Sequence, residues 1–165
     1  FSIKGIRMVK VVHGIHVHGS GLISGKSFEP GEIVYRFPGK ISQSVPTYQT
    51  IQIGADRHTL DFGILANINH SCDPNTVIDT ENLSVLALRA IATGDELTFF
   101  YPSTEWDMAL PFACQCRSPQ CLQFVAGARY LSHGVLKGYF INRHILKMHS
   151  ELLSGASDSC GFQPR

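Results

Sequence analysis

Asn69-His70-Ser71-Cys72-Asp73-Pro74-Asn75 carries more information than any other segment of this chain. An Asx side chain and an imidazole in tandem could read a purine edge, one donating and the other accepting. The same residues suit an Asx-rich turn held by its own side chains, with Pro74 ending the strand before it. Two downstream segments lift it above a turn. Cys114-Gln115-Cys116 arrives 42 residues after Cys72, and Cys121 closes the run. Between them lies Gly94-Asp95-Glu96-Leu97-Thr98-Phe99-Phe100-Tyr101, a turn leading into an apolar strand.

Three of the five cysteines fall within eight positions, Cys114 to Cys121. No secretory signal is visible, and such crowding then favours a metal over disulfides. Tetrahedral zinc takes four soft ligands at about 2.3 Å, so a fourth sulfur must come from elsewhere. Cys72 is the natural donor, since Cys160 lies in the tail. A closed four-cysteine set is structural and leaves no position open for chemistry. The alternative is reduced, buried cysteines with no metal. His13, His16 and His18 resemble a second cluster, but on a strand His16 and His18 share a face while His13 points elsewhere. A metal there is not expected.

A chain of 165 residues fits one domain whose core needs no disulfide framework. Fourteen basic and 13 acidic residues leave a net charge of +1, no electrostatic reason to bind nucleic acid directly. Charged residues make up 16%, against roughly 25% in an average soluble domain. That shortage fits either an apolar surface covered by a substrate, a partner or another subunit, or a neutral Gly- and Ser-rich surface. No run approaches the roughly 18 apolar residues of a membrane helix. An intracellular protein, cytoplasmic or nuclear, is expected, with no membrane partner.

The first hundred residues read as short strands: Met8–Val12 and Ile15–Val17 broken at Gly14, then Ile33–Phe37, Ile51–Ile53, Thr76–Ile78, Leu83–Leu88 and Glu96–Phe99. Glu29-Pro30-Gly31-Glu32 marks a turn, and Asp79-Thr80-Glu81-Asn82 a hairpin. After Cys121 the periodicity becomes helical. Val135, Leu136, Tyr139 and Phe140 predict one helix capped by Ser132, and Ile145, Leu146, His149, Leu152 and Leu153 a second capped by Asn142. Residues 154–165 are small and polar, and fraying is expected there.

The Asn-His-Ser-Cys segment, the Gly94–Tyr101 strand and the cysteine loop together resemble the SET-domain methyltransferases, over about residues 5 to 131. The resemblance implies a mainly β fold with a small α part. Its parts would be a SET domain of short twisted sheets with a knot-like C-terminal segment (5–103), a zinc-clipped post-SET loop (104–131) and a C-terminal helical tail (132–165). It implies transfer of a methyl group from S-adenosylmethionine to a protein lysine, leaving S-adenosylhomocysteine. His18, Gly19, Ser20, Gly21, Asn69, His70 and Tyr101 would hold the cofactor. Tyr101, Phe99 and Phe37 would line the transfer channel, and Cys72, Cys114, Cys116 and Cys121 would bind structural zinc. By itself Gly19-Ser20-Gly21 is only a turn that lets backbone approach a ligand. The physics asked of Tyr101 is modest: align and desolvate a neutral amine against an already activated methyl. Phe99 matches a position that varies between Phe and Tyr in the family. A Phe leaves more room, so more than one methyl per lysine is predicted.

The chain also departs from the family pattern. Phe100 replaces an acidic or amide residue, Phe37 a channel tyrosine and Lys40 a carboxylate. Arg117 stands for a glycine, and Leu122-Gln123 for an Arg-Gly pair. The insert between Lys40 and Asn67 is short. These changes keep two other functions in view: a tailoring enzyme for a small apolar molecule, and a binding module that has lost transfer. Oligomerisation stays open. Trp106 is expected to pack beneath the cysteine loop.

Overall fold

A computed structural model describes residues 9–16, 19–39, 42–60 and 64–158. In chain order the strands are β1 (Val9–His16), β2 (Gly19–Ser24), β3 (Ile33–Arg36), β4 (Ser42–Gln43), β5 (Thr50–Gly54), β6 (Arg57–Leu60), β7 (Asn69–His70), β8 (Thr76–Asp79), β9 (Ser84–Ala87), β10 (Thr98–Phe99), β11 (Phe112–Ala113) and β12 (Phe124–Val125). Among the described residues, two α-helices come after them, α1 (His133–Leu136) and α2 (Arg143–Asp158). No helix among the described residues is long and apolar enough to cross a membrane. His18, Lys40 and Cys160 lie outside the described residues.

The strands form small sheets: β1–β2, β3–β9–β8, β4–β6–β5, β11–β12, and a parallel pair of β7 with β10. Gly14 does not break the first strand. β1 runs through it, and the pairing with β2 shifts register between His13 and His16, an irregularity that glycine tolerates. Gly19-Ser20-Gly21 likewise opens β2 instead of forming a loop. The β8–β9 hairpin forms where the Asp79–Asn82 signal places it. The Asp79 carboxylate accepts from the amides of Glu81 and Asn82, both at 3.0 Å.

Two apolar clusters organise the chain. The first gathers Leu22, Phe28, Val34, Phe37, Ile51, Ile68, Ile78, Val85, Leu97 and Phe99, with Tyr101 against it. The second gathers Phe100, Ala128, Leu136 and Ile145, with Trp106, Leu122 and Tyr139 against it. Phe99 and Phe100 are consecutive, so strand alternation sends one ring into each cluster. Full burial of one such ring stabilises the fold by roughly 1.5–3 kcal/mol. The segment leading into Tyr101 is therefore held from both faces.

The C-terminal helices differ from the periodic reading. Ser132 caps α1 as predicted, its Oγ accepting from the Val135 amide at 3.3 Å. The helix then ends at Leu136, and Tyr139 and Phe140 lie beyond it. Tyr139 stacks on Phe100 with ring centroids 3.7 Å apart, a contact a continuing helix would not make. Asn142 does not spend its side chain on α2. It accepts from the Thr80 amide at 2.9 Å and donates to the carbonyls of Ile78 and Ser103 at 2.8 and 2.9 Å. α2 continues to Asp158, past the predicted start of fraying, because its first turns are anchored by buried Ile145 and His149. Leu146, Leu152 and Leu153 of the same stripe are exposed.

Candidate active site and cysteine centre

The parallel pairing of β7 with β10 sets Asn69 opposite Thr98 and His70 opposite Phe99. Segments nearly thirty residues apart thereby share one ladder, extended by the Ser71 amide donating to the Phe99 carbonyl at 3.1 Å. Asn75 ties the far end. Its Oδ1 accepts from the Thr98 amide at 2.9 Å, and its Nδ2 donates to the Glu96 carbonyl at 2.7 Å. These bonds explain the Asn in Cys-Asp-Pro-Asn, a role the sequence did not disclose.

Asn69 brings β2 to the same place. Its Nδ2 donates to the Ser20 carbonyl at 3.0 Å and to Glu96 Oε1 at 2.8 Å. Ser20 Oγ donates to Asn67 Oδ1 at 2.6 Å. Gly21 shows how close the approach is: a Cβ there would lie 2.9 Å from Glu96 Oε1 and 3.3 Å from Asn69 Nδ2. Gly19 has φ +117°, a conformation only glycine takes without strain, and open space where its Cβ would be. A glycine-lined strand, an amide and a carboxylate thus border one surface, and with both Asn69 amide protons and the Ser20 hydroxyl proton spent inside the protein, polar contact with a ligand would fall to backbone groups of β2.

His70 is spent on the scaffold. Its Nδ1 accepts from the Tyr101 amide at 3.2 Å, which puts the ring proton on Nε2, facing Cys72 Sγ at 3.2 Å. Burial pushes its pKa down to about 4, so the ring is neutral. The imidazole couples the Tyr101 backbone to a cysteine, and its polar atoms are not free to read a purine edge. Contact with a ligand would fall to backbone or to the ring face. On the side away from β10, β7 pairs with no other strand among the described residues.

Tyr101 donates its hydroxyl to the Ile68 carbonyl at 3.0 Å. Burial, with the charges of Glu105 and Glu96, pushes the phenol well above its ordinary pKa, so it stays a protonated donor. Phe99 lies 4.8 Å away by ring centroid, and Phe37 is buried in the same cluster. Phe112 gives no signal in the sequence, because β11 is only two residues long. It sets its ring edge-on to His70 at 5.7 Å and to Tyr101 at 5.9 Å.

The β11–β12 hairpin carries the cysteine loop. Sγ atoms of Cys72, Cys114, Cys116 and Cys121 all lie within 4.8 Å of one another, with Cys72 and Cys114 4.0 Å apart. Tetrahedral zinc with bonds of about 2.3 Å separates its sulfurs by about 3.8 Å, so the spacing fits that metal. Burial pushes the Cys72 thiol strongly up and Cys114 to about 11. Cys116 moves the other way: hydrogen bonds from the Ser118 and Cys72 backbones and from the neighbouring thiols outweigh burial and bring it to about 7. One thiolate forms readily and suppresses the others, so a cation is what would let all four ionise together. Leu122 N–H donates to Cys72 Sγ at 3.3 Å and Gln123 N–H to Cys121 Sγ at 3.4 Å, bonds that favour thiolates. Arg117 and Gln123, at positions where a glycine is usual, hold φ of +59° and +67°.

Residues 19–102 match the SET domain family, and the chain belongs to it. It is similar to methyltransferase flvH of Aspergillus flavus, at 39% identity over 70% of this chain and 66% of that protein. It is similar to histone-lysine N-methyltransferase 2B of Homo sapiens, at 31% identity over 66% of this chain and 5% of that one. For histone-lysine N-methyltransferase trithorax of Drosophila virilis the identity is 30%, over 67% of this chain and 3% of that protein. The chain therefore spans less than two thirds of the length of these relatives. The crystal structure of KRYPTONITE in complex with mCHG DNA and SAH shares the fold, with a TM-score of 0.56 and 20% identity over 70% of this chain and 28% of that one. The mainly β SET fold that the three motifs imply is the fold observed.

Proposed function

We propose that this chain transfers a methyl group from S-adenosylmethionine to the side-chain amine of a protein lysine. The observation that carries the proposal is the hydroxyl of half-buried Tyr101, bonded to the Ile68 carbonyl immediately before Asn69-His70 and bordered by aromatic rings. S-adenosylmethionine supplies a sulfonium-activated methyl group. Gly19, Ser20, Gly21, Asn69 and His70 are the residues that would hold it, and the open space beside Gly19 suits a close backbone approach. His18, also implied by the family resemblance, belongs to the same proposed set.

The amine must arrive neutral, because its lone pair forms the new N–C bond as the C–S bond breaks. Tyr101 has its proton committed to Ile68, which leaves oxygen lone pairs to orient an N–H donor. Phe37, Phe99 and Phe112 would exclude water and disfavour an ammonium, helping the lysine shed its proton to solvent before attack. The four cysteines would hold one structural zinc that fixes the post-SET loop against His70. Reduced thiols suit an intracellular setting. We assign residues 5–103 to the SET domain, 104–131 to the cysteine loop and 132–165 to the tail.

A second reading rests on the compact insert, whose strands β4, β5 and β6 hold two, five and four residues. So small a wall would suit a small apolar amine as well as a peptide. Incubation with methyl-labelled S-adenosylmethionine and cell extract separates the two. Label in protein supports lysine transfer, and label only in low-mass products supports the second. If calorimetry detects no cofactor binding at millimolar concentration, both fail and the chain is a binding module.

A further inference from the structure

Phe100 is the sharpest departure from the family pattern, and the structure supplies its counterpart. The Tyr139 ring lies flat on Phe100, centroids 3.7 Å apart and planes 2° from parallel. The Tyr139 hydroxyl then reaches past Phe100 and donates to the Cys72 carbonyl at 2.9 Å. That carbonyl also accepts from Gln120 Nε2 at 2.7 Å. The sulfur of the same residue is met by the Leu122 amide and His70. Cys72 is therefore gripped at both ends, and the chain beyond the cysteine loop provides one of the grips.

We infer that Tyr139 is a positioning residue, through which the C-terminal extension orders both the cysteine centre and the strand that delivers Tyr101. A polar side chain at position 100 would leave nothing for an aromatic ring to stack on. An aromatic one creates a platform that aims the Tyr139 hydroxyl at Cys72. The departure at Phe100 is thus one half of a pair, and it recruits the extension as a working part of the site. The ending of α1 at Leu136 is what frees Tyr139 for this contact.

This inference rests on the zinc reading, and its test separates the two. Zinc content and the rate of zinc loss to a chromogenic chelator are measured on the whole chain, wild type and Tyr139→Phe. The Phe variant keeps the stack and loses only the hydroxyl. It should surrender zinc about tenfold faster, as loss of an outer-shell partner does. Adding Gln120→Ala should accelerate release further, because the Cys72 carbonyl then loses both donors. Leu136→Ala, which truncates the same cluster without touching Cys72, is the control for simple destabilisation. It should lower Tm while zinc loss stays within about twofold of wild type. Zinc release from Tyr139→Phe at the wild-type rate overturns the inference, as does equal acceleration by Leu136→Ala. A wild-type chain that takes up no zinc overturns the metal reading itself, and this inference with it.

Discussion

Glu105 accepts a hydrogen bond from the backbone amide of Gln52 at 2.8 Å, across 53 residues of chain. The bond is reciprocated, since the Trp106 amide donates to the Gln52 side-chain oxygen at 2.8 Å. Gln52 belongs to the insert sheet, while Glu105 comes after the turn that carries Tyr101 and donates its own amide to the Tyr101 carbonyl at 3.0 Å. The insert is thus clasped to the proposed transfer tyrosine through a buried carboxyl.

That carboxyl makes stability depend on pH. Burial outweighs the bonds from Gln52 and Thr104 and raises it from 4.5 to about 7. Between those values the folded chain binds the extra proton. The contribution is therefore complete below about pH 4.5 and is lost as pH rises through about 7. Urea unfolding at pH 5 and pH 8 should show wild type losing up to about 3 kcal/mol relative to Glu105→Gln. Parallel behaviour of the two proteins would place the carboxyl at its ordinary value.

Tyr101→Phe removes the donor to Ile68. Stability should drop by about 1 kcal/mol, while transfer falls about 100-fold from misalignment of the amine. Calorimetry should find cofactor affinity within a few-fold of wild type. Full activity in this variant would exclude the phenol from the reaction.

Phe99→Tyr adds a hydroxyl beside Tyr101 in a space where Phe99 is 1% exposed. Under the proposed function, the added group would narrow the transfer channel and offer the amine another anchor. Mass spectrometry of the product should shift toward fewer methyl groups per amine. An unpaired hydroxyl there would cost about 1–3 kcal/mol, so the melting temperature is read alongside.

Arg117 and Gln123 occupy the left-handed region at φ +59° and +67°. Side chains cost roughly 1–2 kcal/mol there, partly offset by the greater freedom of glycine in the unfolded chain. Arg117→Gly and Gln123→Gly should each raise stability by up to about 1 kcal/mol, or about 2–4 °C in Tm. Lower Tm in both would show that their side chains contribute contacts that outweigh the strain.

Zinc removal should loosen one region and spare another. With a chelator, or in Cys72→Ser, amide exchange should accelerate across Phe112–Val125, where the two paired strands are only two residues each. The β3–β9–β8 sheet, buried through Val34, Ile78 and Val85, should keep its protection. Uniform exchange with and without metal would deny zinc its structural role.

Local chemistry determined a good part of this protein. The Asp79–Asn82 turn, the Ser132 cap, the strands on either side of that turn and the spacing of Cys114, Cys116 and Cys121 each arise from residues a few positions apart, so they are legible in one dimension. Cys72 joins the late cysteines as the need for a fourth sulfur required, but the pairing of Asn69-His70 beside Thr98-Phe99, the Gln52–Glu105 clasp and the seating of Tyr139 on Phe100 are different. Each joins segments dozens of residues apart, and no local propensity encodes which distant surface a side chain will meet. The early stop of α1 shows the principle most directly. Helical periodicity would carry Tyr139 onward in the helix, but the stack on Phe100 and the bond to the Cys72 carbonyl exist only once the chain has folded, and they decide where that ring goes.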